Sequence, residues 1–198
     1  MTFDIFLGLE AATDKGLAGI DKDAGVGDCI EAVRVARELR YGINGNFLIG
    51  HDWAEDDFRE LWEFVARYNL QRAGFTILTP LPGTEFYKEM APRMADQPWS
   101  NFDMHHLLWE PAIGVERFFE LYAETWRRSI LNTSGDKSIF DWMRQVRPSQ
   151  IPYIVRVLWR TQRMMKPAAY VQEYAESRLL PPGAPRARQP GEIFRTNT

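Results

Sequence analysis

Cysteine is almost absent from this chain, since Cys29 is the single one among 198 residues. One thiol can form neither a disulfide within the chain nor a metal or cluster site that needs several thiolates. Cys29 shares the apolar face of a predicted helix with Val33 and Ala36. This placement favours a buried structural thiol over a catalytic nucleophile.

Long hydrophobic runs, a leader pattern and metal-binding histidine motifs are also lacking. No apolar run approaches the roughly 20 residues that span a bilayer, and no positively charged start precedes an apolar stretch at the N-terminus. His51, His105 and His106 have no Glu or Cys partner at ligand spacing. We therefore expect a cytoplasmic location and no metal site.

Acidic residues are scarce in the last third of the chain, although the net charge of the whole is −3. Residues 1–136 hold 13 Lys and Arg against 23 Asp and Glu, whereas residues 137–188 hold 10 against 3. The predicted helix at 153–166 carries Arg156, Arg160, Arg163 and Lys166 beside apolar residues. Two interpretations stay open: a solvated basic face, or a peripheral contact with the inner face of a membrane. No recognised nucleic-acid-binding module accompanies these charges, so we expect no nucleic-acid partner.

Three apolar strands, each followed by a helix pattern, stand in the first half of the chain. The predicted strands are residues 3–9, 43–49 and 74–78, and their onsets are about 40 and then about 30 residues apart, as in right-handed βαβ crossovers. The third strand leads into a rigid turn, Thr79-Pro-Leu-Pro-Gly-Thr84. Polar or glycine residues at each strand end predict a parallel sheet with a site along one edge.

Helices are predicted at residues 15–20, 28–40 and 84–90, with another after Asp52 that carries an apolar stripe from Phe58 to Tyr68. Asp28 with Glu31, and Asp52 with Glu55, read as capping pairs. Further helices are expected at 115–131, 139–146, 153–165 and 168–180. The tail from residue 181 is rich in Pro, Arg and Gly and is expected to be disordered.

Three parallel strands make a poor sheet by themselves, because both faces need cover and the first strand leaves an open edge. We therefore expect further strands on the N-terminal side, in a longer chain or in a partner subunit. The predicted domains are 1–92 and 93–180, followed by the tail 181–198.

Three motifs carry a family resemblance. Gly8-Leu-Glu-Ala-Ala-Thr-Asp14, Tyr41-Gly-Ile-Asn-Gly-Asn-Phe-Leu-Ile-Gly50 and Phe75-Thr-Ile-Leu-Thr-Pro-Leu-Pro-Gly-Thr84 resemble, in order and spacing, the second half of a radical SAM barrel of the cobalamin-binding branch. The aromatic stretch from Trp99 to Pro111 is similar to the C-terminal region of that branch. Within the branch, residues 3–175 most resemble the hopanoid C-3 methylases.

The resemblance implies a partial (β/α)6 barrel that begins at its fourth strand and is followed by a helical C-terminal region. In the family, S-adenosylmethionine lies across the carboxyl ends of the strands. A carboxylate suits its hydroxyl and ammonium donors, and glycine lets backbone approach a planar ring. The positions that match the family's cofactor site are Gly8, Glu10, Leu48, Ile49, Gly50, Ile77, Leu78 and Thr79.

The chain departs from the family at its defining motif. The Cys-x3-Cys-x2-Cys loop that holds a four-iron, four-sulfur (4Fe-4S) cluster is missing, and so is the cobalamin-binding domain that precedes the barrel in the family. Without the cluster no radical forms, so the resemblance implies an inactive C-terminal piece of a methyltransferase for a polycyclic, hopanoid-type lipid. Catalytic residues stay unassigned.

Less specific interpretations stand beside these. The chain could be a non-catalytic accessory or docking subunit, or an unrelated small α/β domain. Glu10 could be a solvated loop carboxylate, Gly50 a strand terminator, and the turn at Pro80 purely structural. The aromatic residues between Trp99 and Trp126 pack a core by default, or wall an apolar substrate channel.

Overall fold

A computed structural model describes residues 4–18, 23–70, 73–94, 98–131 and 147–178. The predicted helix at 139–146 and the tail from 181 lie outside the described residues, as do the predicted helix ends at 19–20 and 179–180. The elements run in the order β1 (Asp4–Glu10), α1 (Asp14–Ala18), α2 (Val26–Glu38), β2 (Gly42–Ile49), α3 (Glu55–Arg67), β3 (Ala73–Ile77), α4 (Glu85–Met90), α5 (Val115–Leu131), α6 (Ile151–Thr161) and α7 (Pro167–Arg178).

The three strands form a parallel sheet in the order β1-β2-β3. Gly8 of β1 lies opposite Asn46 of β2, which in turn lies opposite Gly74 of β3. The prediction of an α/β protein with a parallel sheet is confirmed. Because the strands are parallel, their carboxyl ends meet along one edge of the sheet.

Aspartate side chains accept hydrogen bonds at the N-termini of two helices, although from other positions than predicted. The backbone N–H of Gly25 donates to Asp28 at 2.9 Å, and that of Ala54 donates to Asp57 at 2.7 Å. Each aspartate therefore stands inside the first turn, and the predicted capping roles of Asp28 and Asp52 are wrong. The carboxylates still complement the positive end of each helix dipole.

One face of the sheet is covered by helices and holds the core. Phe47 and Phe75 stack with ring centroids 6.0 Å apart, and Trp126 of α5 meets the Phe75 ring edge-on at 5.2 Å. The aromatic residues that the core buries almost completely include Trp109, Phe118, Phe119 and Tyr122. Packing is therefore confirmed as the role of these four, whereas Trp99 is 43% exposed. The core holds side chains from both sides of residue 92, and the domain boundary there stays a prediction.

The outer edge of β3 is sealed by polar groups. The hydroxyls of Ser129 and Tyr122 donate to the carbonyls of Ala73 and Phe75, each at 3.0 Å. The backbone N–H of Ile77 donates to the carbonyl of Met104 at 2.8 Å. A strand edge whose backbone groups are already bonded does not recruit another strand. Among the described residues, the β3 edge is therefore covered by α5 and by the segment around Met104.

The β1 side of the sheet differs. Among the described residues, β1 has a neighbouring strand on its β2 side alone. Phe6, at the middle of β1, has 71% of its surface exposed. A large apolar side chain so placed on an edge strand is typical of a surface that another element covers.

Candidate functional site

A cleft opens where the three strands end. Glu10 closes β1, Leu48 lies near the end of β2, and Leu78 directly follows β3. These three side chains and Gly50 line the same cleft, so the structure brings together four of the predicted site positions. Glu10, Leu48 and Leu78 come from three different strand ends that are far apart in the sequence, and parallel pairing joins them.

Glu10 has an unusual backbone conformation. Its φ is +66°, and the N–H of Ala11 donates to the carbonyl of Leu9 at 2.8 Å, which makes a tight three-residue turn centred on Glu10. The strand register shifts at the same point, between Gly8 and Glu10. A non-glycine residue with positive φ is strained, and such strain concentrates at functional sites. The turn fixes where the carboxylate enters the cleft.

Gly8 makes room for that carboxylate. A Cβ on Gly8 would lie 3.1 Å from Oε1 of Glu10, so the glutamate side chain folds back over the glycine. Gly8 is exposed and does not itself line the cleft. Gly8, a predicted site residue, therefore lies beneath the Glu10 side chain and leaves space for it.

Because side chains alternate along a strand, the remaining predicted residues are divided between the two faces of the sheet. Leu48 and Leu78 are half-buried on the open face of the sheet, whereas Ile49 and Ile77 are fully buried on the face that the helices cover. Thr79 is also buried, and its hydroxyl donates to the carbonyl of Ile77 at 3.1 Å. The structure thus places Ile49, Ile77 and Thr79 outside the cleft lining, and a cofactor-binding role for any of the eight positions stays a prediction.

Gly50 is covered by a side chain of the same protein. A Cβ at this position would lie 2.4 Å from Cδ1 of Trp53, a distance that no real contact tolerates. The planar ring that approaches Gly50 in this structure is therefore the Trp53 indole. Trp53 also meets Phe58 edge-on at 5.1 Å, which fixes its position.

Sequence reasoning missed several residues of the cleft. Each follows a strand end directly or lies in the first turn of the next helix, a position that could have identified it. They are Ala11, Lys15, Gly16, His51, Asp52, Trp53 and Asp57. Lys15, Asp52 and Asp57 add charges of both signs to the rim.

The histidines do not gather into a metal site. His51 lies in the cleft and packs against Phe86 and Trp109, with ring centroids 5.2 and 6.3 Å away. His106 lies elsewhere, with Nδ1 3.0 Å from Oδ2 of Asp103. Partial burial acts to raise the pKa of Asp103, but hydrogen bonds from the His106 ring and from backbone N–H groups outweigh it and hold that pKa below its usual value. Within the described residues no group of His, Cys, Asp and Glu could hold a metal ion.

The cleft is small for a nucleoside cofactor. Its cavity volume is about 90 Å³, whereas pockets that enclose ligands of this size measure about 300–1,000 Å³. The residues of the cleft nevertheless suit part of S-adenosylmethionine. The Glu10 carboxylate can accept hydrogen bonds from hydroxyl or ammonium groups, and the two leucines can pack against the faces of a purine. The residues present therefore fit a portion of the cofactor.

An iron–sulfur cluster does not fit the residues of this chain. Cys29 is buried in α2, and its Sγ lies 3.7 Å from the carbonyl oxygen of Leu9. The prediction of a buried structural thiol is confirmed. A 4Fe-4S cluster is held by several thiolates, and the sequence offers no second cysteine.

Curated relatives of the chain are methyltransferases, whereas no protein-family model matches it. The chain is 27% identical over 110 residues to bacteriochlorophyllide d C-12(1)-methyltransferase of Chlorobaculum tepidum, a match covering 52% of the chain and 24% of that protein. It is 24% identical over 115 residues to hopanoid C-3 methylase of Methylococcus capsulatus, covering 58% and 22% respectively. It is also 31% identical over 108 residues to bacteriochlorophyllide d C-8(2)-methyltransferase of Chlorobaculum tepidum, covering 49% and 24%.

Its homologues are methyltransferases. The expected resemblance to this group, hopanoid C-3 methylase included, is confirmed at low identity over about half of the chain. The chain spans about a quarter of the length of these relatives.

Proposed function

We propose that this chain forms the last three strands of a partial (β/α)6 radical SAM barrel, followed by a helical C-terminal region, in a cobalamin-dependent methyltransferase. The observation that carries the proposal is the cleft at the carboxyl ends of three parallel strands, where the strained Glu10 meets Leu48 and Leu78. Similarity to methyltransferases over about half of the chain supports it.

The cleft residues would bind and orient S-adenosylmethionine. When bound beside the cluster, this cofactor would supply the radical that activates the substrate carbon. The Glu10 carboxylate accepts hydrogen bonds from its hydroxyl or ammonium donors, and its fixed backbone sets their direction. Leu48 and Leu78 give the base an apolar surface on either side and exclude water from it.

The rest of the barrel would come from an N-terminal part or a partner subunit. Two observations support this division: the cleft encloses too little volume for the whole cofactor, and the sheet is sealed on its β3 side but not at Phe6. Strands added beside β1 would extend the same row of strand ends and enlarge the cleft. The 4Fe-4S cluster and cobalamin belong to that other part in this proposal, and the chain by itself is inactive.

The substrate in this proposal is a polycyclic, hopanoid-type lipid that accepts the methyl group at an unactivated carbon. The similarity to hopanoid C-3 methylase supports this choice. Phe86, which is half-buried and packs against His51 in the cleft, would present apolar surface on the substrate side.

Cofactor binding tests the proposal. Titration calorimetry of the 198-residue chain with S-adenosylmethionine should give weak, saturable binding, since only part of the cofactor is enclosed. Glu10→Gln should weaken this binding about tenfold, because a hydrogen bond to a charged group is lost. The control is Glu63→Gln, which alters an exposed glutamate of α3 and should leave the affinity unchanged. Absence of binding, or equal affinity for both variants, would contradict the cofactor site.

Cluster reconstitution tests the division of the barrel. After anaerobic incubation with iron and sulfide, the isolated chain should show no 4Fe-4S absorbance, because one buried thiol cannot ligate a cluster. A stoichiometric cluster would contradict the proposal that the ligands lie elsewhere.

A competing proposal is a non-catalytic subunit that docks the enzyme on a membrane. The exposed apolar residues and arginines of α6 favour it. Binding to vesicles without any binding of S-adenosylmethionine would select this alternative.

A further inference from the structure

Helix α6 exposes an apolar stripe. Ile151, Val155 and Trp159 are spaced four residues apart, so they lie in one line along the helix. Their exposed fractions are 51%, 58% and 70%. Single exposed apolar residues are ordinary, but three in a row on one helix face mark an interaction surface.

A cationic stripe runs beside it. Arg156 directly follows Val155 and Arg160 directly follows Trp159 in the sequence, and both arginines are exposed. The sequence contains no acidic residue between Arg147 and Glu173, so this part of the chain has an excess of positive charge. A partner for the surface must therefore offer apolar contact and negative charge side by side.

An anionic lipid surface offers both. A helix that lies in the plane of a membrane buries its apolar stripe at the boundary of the acyl chains and keeps its arginines among the phosphates. Tryptophan is enriched at this depth because its ring is apolar and its N–H is polar. Among the described helices none is long and apolar enough to cross a bilayer.

We propose that α6 docks the protein on anionic membranes, with Ile151, Val155 and Trp159 inserted between headgroups and Arg156 and Arg160 bound to lipid phosphates. The inference is independent of the reaction proposed above: failure of cofactor binding would leave it standing. The proposed partner of this surface is an anionic bilayer and not an acidic protein.

Vesicle sedimentation of the full chain tests this docking. At low salt, vesicles of phosphatidylcholine with phosphatidylglycerol should retain the protein, pure phosphatidylcholine should retain less, and high salt should release it. The double variant Arg156→Gln/Arg160→Gln should bind about 25-fold more weakly, at about fivefold for each arginine. Arg67→Gln/Arg93→Gln removes two exposed arginines from other places and should not change binding.

Quenching by brominated lipids tests the position of the stripe. The Trp159→Phe variant should still bind vesicles but should lose most of the fluorescence quenching. The control Trp99→Phe, at another exposed tryptophan, should retain both the binding and the quenching. No retention by anionic vesicles, or retention that neither α6 variant alters, overturns the proposal. Equally strong binding to polyglutamate, without quenching by lipid, would assign the surface to an acidic protein and also overturn it.

Discussion

Glu10 adopts a backbone conformation that its side chain disfavours. A Cβ at positive φ is crowded by its own backbone, which costs about 1–2 kcal/mol, and glycine escapes this cost. Position 10 nevertheless holds a glutamate in a register shift at the mouth of the cleft. The side chain at position 10 is thus kept at the expense of local stability.

We predict that Glu10→Gly is more stable than Glu10→Ala by about 1 kcal/mol, because only glycine relaxes at φ +66°. Urea unfolding of the two variants measures the difference. The same pair at Glu63, inside α3, should show the opposite order by about 1 kcal/mol, because alanine favours a helix interior. Equal stability of the two variants at position 10 would contradict the strain.

At the level of secondary structure, α5 stabilises the sheet through hydrogen bonds as well as through apolar contact. Tyr122 and Ser129 are seven residues apart and so lie on the same side of the helix, and their hydroxyls reach carbonyls of β3 two residues apart. Trp62 of α3 donates through its indole N–H to Thr125 of α5 at 2.8 Å. The helix is therefore fixed in register against both β3 and α3.

Tyr122→Phe should destabilise the fold by about 1–2 kcal/mol, since it leaves a buried strand carbonyl without its donor. Chemical denaturation measures the loss. Tyr68→Phe removes the hydroxyl of a half-buried tyrosine packed on Phe64 and should cost less than about 0.5 kcal/mol. Equal costs would show that the Tyr122 hydroxyl contributes nothing specific.

The same variant has a signature in the pH dependence of unfolding. Burial raises the pKa of Tyr122 to about 12 from an ordinary 10.0, so the folded state favours the neutral phenol. The stabilisation of the folded state by the neutral phenol is therefore complete below pH 10, and it is lost as the pH rises through about 12. The stability difference between wild type and Tyr122→Phe should therefore narrow over this range, and a difference that stays constant would contradict the shift.

At the level of the whole molecule, the sheet is asymmetric. Its β3 edge is closed by α5 and Met104, whereas Phe6 on β1 is exposed. An apolar edge strand of this kind is a template for pairing with another chain. The isolated chain should therefore associate with itself when nothing else covers β1.

Sedimentation velocity over a concentration series should show this association, and Phe6→Lys should reduce it, because an edge lysine opposes strand pairing. Leu39→Lys replaces an apolar residue that is 62% exposed at the end of α2, and it should leave association unchanged. A monomer at every concentration would contradict the prediction.

Sequence periodicity predicted the elements well wherever an apolar stripe was long. The predicted bounds of α5 agree with the structure, and each predicted strand lies within one residue of its observed ends. Helix starts were less certain, because an aspartate can bond the same N–H from the cap or from the first turn. Asp28 and Asp57 take the second arrangement.

The site was predicted in part for a similar reason. A resemblance at strand ends identified Glu10, but it could not separate Leu48 from Ile49, which point to opposite faces of the sheet. Alternation along a strand assigns two faces, and only packing decides which face is covered. The Trp53 ring over Gly50 was likewise invisible, because it depends on how the turn after β2 folds back.

The sequence by itself determined the three strands, the longer helices among the described residues and the parallel sheet, because hydrophobic periodicity acts over neighbouring residues and the spacing of the strands leaves room for crossover helices. The tertiary structure alone decided that Lys15 and Asp57 join Glu10 at one cleft, that Tyr122 closes the β3 edge, and that Trp159 stays exposed. These features depend on distances between residues far apart in the chain, and no local pattern encodes such distances.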